Sequence, residues 1–275
     1  MAGGGSRASW RQGETHDIGI SLFCWAQKGG TTTLHNYLRW HPQLCAPLQK
    51  KPHMFDNEAV NWHAPDFSAY HRMYYPTPEQ ILFDATPIHG FWQPSLERIA
   101  AYNPRAKLIF LFRDPFARAW SHWCMEWARG AEHLTFAEAI REGRARMPAE
   151  APLDGAHRVF SYVERGRYGE QVARALRYFP REQMLFLKTE TFARDHMAVL
   201  DQVTRFLGIR DFPTLLPRRD NARPDANYPP GPSEEDLALI CGELAQDTRM
   251  FAELTGMDIS DWMGPGALKG KAQAA

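Results

Sequence analysis

The stretch Cys24-Trp25-Ala26-Gln27-Lys28-Gly29-Gly30-Thr31-Thr32-Thr33-Leu34-His35-Asn36-Tyr37-Leu38 decides how this chain folds. An apolar run from Ile18 to Ala26 leads into it and reads as a strand. The segment from Gln27 to Thr33 turns, and a helical period follows, with Leu34, Tyr37, Leu38 and His41 on one face. A strand–loop–helix unit of this kind can hold phosphate or sulfate. Glycines let the backbone come close to an anion, and the first-turn N–H groups of a helix have no intrahelical partner. Lys28 adds positive charge, and Thr31, Thr32 and Thr33 add hydroxyls. The order is not that of a Walker A loop, where the lysine stands directly before Ser/Thr; here it precedes Gly29 and Gly30. A Gly-Gly turn before a helix can also be a plain joint, and this stretch alone leaves that reading open.

The 275 residues allow one large domain with a sizeable core. Acidic and basic residues balance at 32 each, so no bulk field draws the chain to nucleic acid or an anionic membrane. Only seven of the basic residues are lysines, and three of them, Lys28, Lys50 and Lys51, fall early and close together. The four cysteines, Cys24, Cys45, Cys124 and Cys241, show neither CxxC pairing nor metal spacing, which fits buried thiols in a reducing compartment. The leader 1–16 is small and polar, without the apolar core of a signal peptide, and no run approaches the roughly 18 apolar residues of a membrane span. The expectation is a cytoplasmic protein with a disordered leader 1–16, one domain over 17–264 and a loose tail 265–275. Oligomeric state is left open between monomer and homo-oligomer.

Further along, Leu44–Ala46 reads as a short strand and 57–79 as an irregular excursion rich in His, Tyr, Trp and Pro. Ile81–Asp84 and Lys107–Phe112 are apolar runs of strand length, and Gln183–Leu187 is another. Helices are predicted over 92–102, from Pro115 to Arg129, over 135–146 with a Thr135/Glu138 capping box, over 162–179 with breaks near Gly166 and Gly169, over 191–207 and over 234–254. The six prolines of 210–232 exclude a regular element there. Almost wholly apolar strands alternating with helices predict an α/β fold: a central, mainly parallel sheet of five strands covered on both faces, three layers in all.

A second constellation is Arg113-Asp114-Pro115-Phe116-Ala117-Arg118-Ala119-Trp120-Ser121. Arg113 stands at the carboxyl end of a strand, where open α/β sheets bind ligands, and Ser121 follows about two helical turns into the next element. A guanidinium fork and a hydroxyl so placed can share a phosphate. Taken singly, each also reads as ordinary: an ion pair for Arg113, solvent contact for Ser121. With Lys28 at another strand end, they point to a ligand carrying two separated anionic groups.

These segments resemble the PAPS-dependent sulfotransferase family (PAPS is 3′-phosphoadenylyl sulfate), nearer its heparan-sulfate and Golgi carbohydrate type and bacterial relatives than the cytosolic phenol type. QKGGTTTL resembles the family's loop for the 5′-phosphosulfate, and IFLFRDPFARAWSHW its strand and helix for the 3′-phosphate. KKPHMFD, FDATP, GRYGEQVARALRYFP, MLFLKTE, VTRFLGI and LTGMDISDW follow in the family's order. The resemblance implies a P-loop-like fold that binds PAPS as co-substrate, releases adenosine 3′,5′-bisphosphate (PAP) and requires no metal. It implies that Lys28, Gly29, Gly30, Thr31, Thr32 and Thr33 cradle the phosphosulfate and that Arg113 and Ser121 hold the 3′-phosphate. Arg223 matches the general position of a late cofactor-closing loop. Arg118 either serves the motif or braces Asp114 or the loop, and Tyr168 reads as a core tyrosine with a satisfied hydroxyl. The acceptor implied is a carbohydrate or small-molecule hydroxyl.

The chain departs from the family where the acceptor proton is removed. Carbohydrate-type members carry a glutamate at the position of Lys51. An ordinary lysine, with a pKa near 10.4, is no base at neutral pH, whereas a histidine, near 6.5, is suited to the work. His53 is therefore the expected base, oriented by Asp56 or Asp84, with Lys51 facing an anionic acceptor or the leaving group. Trp62 and His63 are expected to line the acceptor side. Two other readings stay open on sequence alone: a small-molecule kinase of P-loop type, and a protein that binds PAPS or PAP without turnover.

Overall fold

The computed structural model describes residues 20–25, 28–147, 155–218, 220 and 225–264. The predicted leader and tail lie outside them. Strand β1 (Ile20–Trp25) enters helix α1 (Thr31–Leu38), followed by β2 (Leu44–Cys45), the single turn α2 (Ser68–His71), β3 (Ile81–Asp84), α3 (Ser95–Tyr102) and β4 (Lys107–Phe112). Then come α4 (Pro115–Ala128), α5 (Phe136–Glu142), α6 (Gly155–Val159), α7 (Tyr168–Ala175), β5 (Met184–Lys188), α8 (Thr189–Arg194), α9 (His196–Leu207) and α10 (Glu234–Thr255). The five strands form one sheet in the order β2-β3-β1-β4-β5, every pair parallel.

Alternation along the strands sorts the core into two layers. Phe23 and Trp25 of β1 join Leu108, Phe110 and Phe112 of β4 on one face, against Leu96, Val172 and Phe251 of α3, α7 and α10. Leu22, Cys24, Ile109 and Leu111 point the other way, onto Leu34 and Leu38 of α1 and Val199 and Val203 of α9. Both faces of the strands are thus apolar, as a parallel sheet buried between helices requires. A third cluster packs α4 and α5 against α10 through Phe116, Trp123, Ile140 and Leu244.

Most element boundaries follow the sequence signals. Asp114 caps α4 by accepting from the Ala117 N–H at 2.7 Å ahead of Pro115 at the first position, and the Thr135/Glu138 capping box is formed. Two spans are more broken than expected. The helix predicted over 191–207 divides at Asp195, whose carboxylate accepts from the Ala198 N–H at 3.0 Å and so starts α9 afresh. The helix predicted over 162–179 shortens to α7 behind a 3₁₀ turn at Glu164–Gly166. The connection after β1 runs toward β2 at one edge, and that after β4 toward β5 at the other. The crevice between their carboxyl ends is therefore the topological switch point, where such sheets take ligands. Lys28 and Arg113 stand on its two lips.

Candidate active site

The β1–α1 loop is shaped by backbone that few side chains tolerate. Lys28 has φ 64° and Gly30 φ 91°, both left-handed; Gly30 meets this without a Cβ, and Lys28 is held in it. Two neighbours fix the loop. Arg113 Nη1 donates to the Lys28 carbonyl at 3.1 Å, and Thr189 Oγ1 donates to the Gly29 carbonyl at 2.6 Å. Gly30, the N-cap of α1, offers no side-chain cap to the first turn at Thr31–Thr33, the end of a helix that favours an anion. Burial, with Arg113 and Arg129 adding repulsion, pushes the Lys28 ammonium down to about 8.

On the β4 lip, Arg113 ties the two strand ends together, and Ser121 lies half-buried two turns along α4. Tyr168 donates to the Arg113 carbonyl at 3.0 Å while its ring packs on Phe112, the satisfied core tyrosine that was expected. Arg118 is buried and donates to the Tyr162 carbonyl; of the roles open to it, bracing Asp114 is not the one seen. The Asp114 side chain is engaged by Ala117 N and Met263 N instead.

The 46–67 loop brings a third group of residues. His53 has φ 54°, a left-handed conformation costly for a residue with a Cβ. Its Nδ1 lies 2.8 Å from Asp56 Oδ2, and its side chain is 42% exposed while Asp56 is wholly buried. His89 Nε2 lies 3.2 Å from Asp56 Oδ1, and Arg158 donates to Asp56 Oδ2 at 2.7 Å. Burial alone would raise the Asp56 carboxyl, but the His53 hydrogen bond and the close approach of His89 hold it well below the usual carboxylate range. Of the two carboxylates expected to orient His53, Asp56 is the one bonded to it. Asp84 is corrected to a structural role: its oxygens are taken by the Tyr70 hydroxyl at 2.9 Å and the Thr86 N–H at 2.7 Å.

Lys51 is half-buried, and burial together with Arg129 lowers its ammonium, while Glu126 opposes the shift. Two neighbours of this group escaped sequence reading. Lys50 Nζ donates to Thr32 Oγ1 at 2.5 Å, carrying a second lysine to the head of α1, and burial and Lys51 push it down to about 8. Glu126 of α4 is buried, its carboxyl raised by burial against the opposing pull of Arg129 and Arg165, and its charge reaches both Lys28 and Lys51. The run of lysines at 50–51 was a visible signal for Lys50; nothing in the local pattern of α4 marks Glu126.

Trp62 is half-buried, stacks on Phe55 at 6.1 Å, lies 4.2 Å from the Arg98 guanidinium and donates to the Asn57 carbonyl at 3.0 Å, so it pins its own loop. His63 is exposed, its N–H on Asn61 Oδ1. Arg223 lies outside the described residues, but its segment reaches α1: Asp220 N donates to Thr33 Oγ1 at 3.3 Å, and Leu216 accepts from Tyr37 at 2.8 Å.

Fold and site together define an α/β protein whose parallel sheet carries cationic side chains on both lips of its switch point. Residues 22–214 match the sulfotransferase domain, and the chain belongs to that family. It is 31% identical over 195 residues to human heparan sulfate glucosamine 3-O-sulfotransferase 6, covering 69% of this chain and 52% of that protein. It is 29% identical over 188 residues to human heparan sulfate glucosamine 3-O-sulfotransferase 3B1, covering 67% and 44%. The chain thus spans about half the length of the curated relatives it matches. Among solved structures, a sulfotransferase from Alicyclobacillus acidocaldarius superposes with a TM-score of 0.73 at 26% identity, over 89% of this chain and 98% of that one.

Proposed function

We propose that this chain transfers the sulfuryl group of PAPS to a hydroxyl of a carbohydrate or other small acceptor. The observation that carries the reading is the tie across the switch point, where Arg113 Nη1 on one lip donates to the Lys28 carbonyl beside the head of α1 on the other. The residues present fit the co-substrate: Lys28, depressed by burial and by Arg113 and Arg129, and Lys50, depressed by burial and by Lys51, stand where a polyanion would restore their charge. Lys28, Gly29, Gly30 and Thr31–Thr33 would hold its phosphosulfate, Lys50 would reinforce them, and Arg113 and Ser121 would hold its 3′-phosphate. Bound there, PAPS supplies an activated sulfuryl group, and adenosine 3′,5′-bisphosphate is the product.

The chain's own part is positioning and charge. Lys28 and the first-turn N–H groups of α1 face the negative charge that develops as the group moves. His53, with its Nδ1 proton on Asp56, presents Nε2 to the open side as acceptor for the hydroxyl proton. Its strained backbone, held by Asp56 and by the contact of His53 N with Thr86 Oγ1 at 3.4 Å, supports a functional role. Lys51 and Arg129 make the acceptor side cationic and favour an anionic acceptor. A carbohydrate hydroxyl is supported by relatives whose names assign them glucosamine 3-O-sulfation of heparan sulfate.

The test is transfer from sulfur-labelled PAPS to a panel of sugars and phenols, with and without magnesium, beside labelled ATP. Sulfur appearing in an acceptor without magnesium supports the reading. Phosphoryl transfer from ATP would make the protein a kinase, and PAP binding without transfer to any acceptor would make it a binding protein.

A further inference from the structure

The carboxylate that orients His53 does not serve His53 alone. Asp56 Oδ2 accepts from His53 Nδ1 at 2.8 Å and from Arg158 Nη1 at 2.7 Å, and the Asp56 carbonyl accepts from Arg158 Nη2 at 2.6 Å. The guanidinium therefore grips both side chain and main chain of Asp56, from a helix 102 residues away in sequence. It is itself seated 4.3 Å over the buried Trp92 ring. Trp92 Nε1 donates to Glu58 Oε1 at 2.6 Å, and Glu58 is clamped by both terminal nitrogens of Arg98. An unbroken chain of contacts thus runs from Arg98 through Glu58, Trp92, Arg158 and Asp56 to His53.

We propose that Arg158 is a positioning residue: by fixing Asp56 it holds the His53 ring with its proton on Nδ1 and its Nε2 lone pair toward the cleft. The inference rests on the reading of His53 as the base. A free Asp56 carboxylate could rotate toward His89, whose Nε2 lies 3.2 Å from its other oxygen, and leave the His53 ring to turn. An imidazole then divides between two tautomers and several orientations, of which only one serves as base. Arg158 removes that freedom because a fork donor contacting two acceptors of one residue fixes an angle as well as a distance. It also joins the helix Gly155–Val159 to the chemistry, so displacement of α6 would release the base.

The test uses Arg158→Gln, Arg158→Lys and His53→Ala in the full chain. In the ligand-free protein, nitrogen-15 NMR of the imidazoles is expected to show His53 as one tautomer, protonated at Nδ1. Arg158→Gln is expected to mix the two tautomers, and Arg158→Lys, which reaches one acceptor of Asp56 at a time, to lie between. With PAPS and a saturating acceptor, Arg158→Gln should lower kcat about ten- to a hundred-fold, as misplacement of a reacting group does, while PAP affinity by calorimetry stays unchanged. A wild-type tautomer and wild-type kcat in Arg158→Gln would overturn the proposal and leave Arg158 a brace. If Arg158→Gln does not fold, the same two measurements on Arg158→Lys decide, and wild-type values in both overturn it. A fully active His53→Ala would instead sink the assignment of the base, and the tautomer measurement would still report on Arg158.

Discussion

Arg113 Nη1 donates to the Lys28 carbonyl across 3.1 Å, so the residue proposed to bind one end of the nucleotide also fixes the loop proposed to bind the other. One side chain spans the two lips of the switch point. Arg113→Ala is therefore expected to weaken PAP more than loss of a phosphate contact alone. The wild type should prefer PAP over AMP by roughly ten- to a hundred-fold, the worth of one set of charge-assisted bonds. In Arg113→Ala most of that preference should vanish, and AMP affinity itself should fall because the loop is loosened. Calorimetry with both nucleotides measures this; equal affinity of the wild type for PAP and AMP would contradict it.

Lys28 and Lys50 each stand at about 8, below the ordinary lysine value of about 10.4. The sign follows directly. Between these values the unfolded chain binds more protons than the folded one, so their contribution to stability rises with pH and is lost as pH falls through about 8. An arriving polyanion favours the charged lysines, so PAP binding near pH 8 should take up protons. Calorimetry in buffers of different ionisation enthalpy should show that uptake, and Lys28→Met should reduce it. Proton release on binding would contradict the assignment.

Glu126 has its carboxyl raised, burial outweighing the pull of Arg129 and Arg165. For a raised carboxyl the ionised form costs stability at neutral pH, and the cost disappears as pH falls below its folded-state titration. Glu126→Gln should therefore raise the melting temperature at neutral pH and change it less in acid. Its turnover should fall nonetheless, because the carboxylate reaches both Lys28 and Lys51. A lower melting temperature at neutral pH would show the ionised carboxylate to be stabilising.

Gly90 admits no side chain. A Cβ there would lie 2.6 Å from Trp25 Nε1, and Trp25 is the last residue of β1 before the site loop. Gly90→Ala should cost about 1–3 kcal/mol through overpacking and, at about 2–4 °C per kcal/mol for a chain of this size, lower the melting temperature by several degrees. An unchanged melting temperature would mean that the Trp25 ring moves aside freely.

The strands were legible because a parallel sheet buried on both faces needs uninterrupted apolar runs, which Lys107–Phe112 and Ile81–Asp84 supply. The turn from β1 into α1 was legible because its glycines, lysine and threonines are contiguous. The break at Asp195 was written in sequence as a capping aspartate but lay hidden inside an apolar periodicity that runs through it. Arg158 and Glu126 could not be assigned, since each is an ordinary charged residue until folding brings it to a distant partner. The choice between Asp56 and Asp84 likewise depended on where Tyr70 and Thr86 spend their donors.

Turnover of His53→Ala beside Lys51→Ala, with PAP affinity measured on the same samples, decides which residue takes the acceptor proton. His53→Ala is expected to lose turnover by about 10²–10⁴-fold, the worth of a general base, while PAP binds as in the wild type. Lys51→Ala is expected to raise the acceptor KM and keep the wild-type dependence of rate on pH. Near wild-type turnover in His53→Ala, with the loss and the altered pH dependence appearing in Lys51→Ala instead, would contradict the account and make the lysine the base.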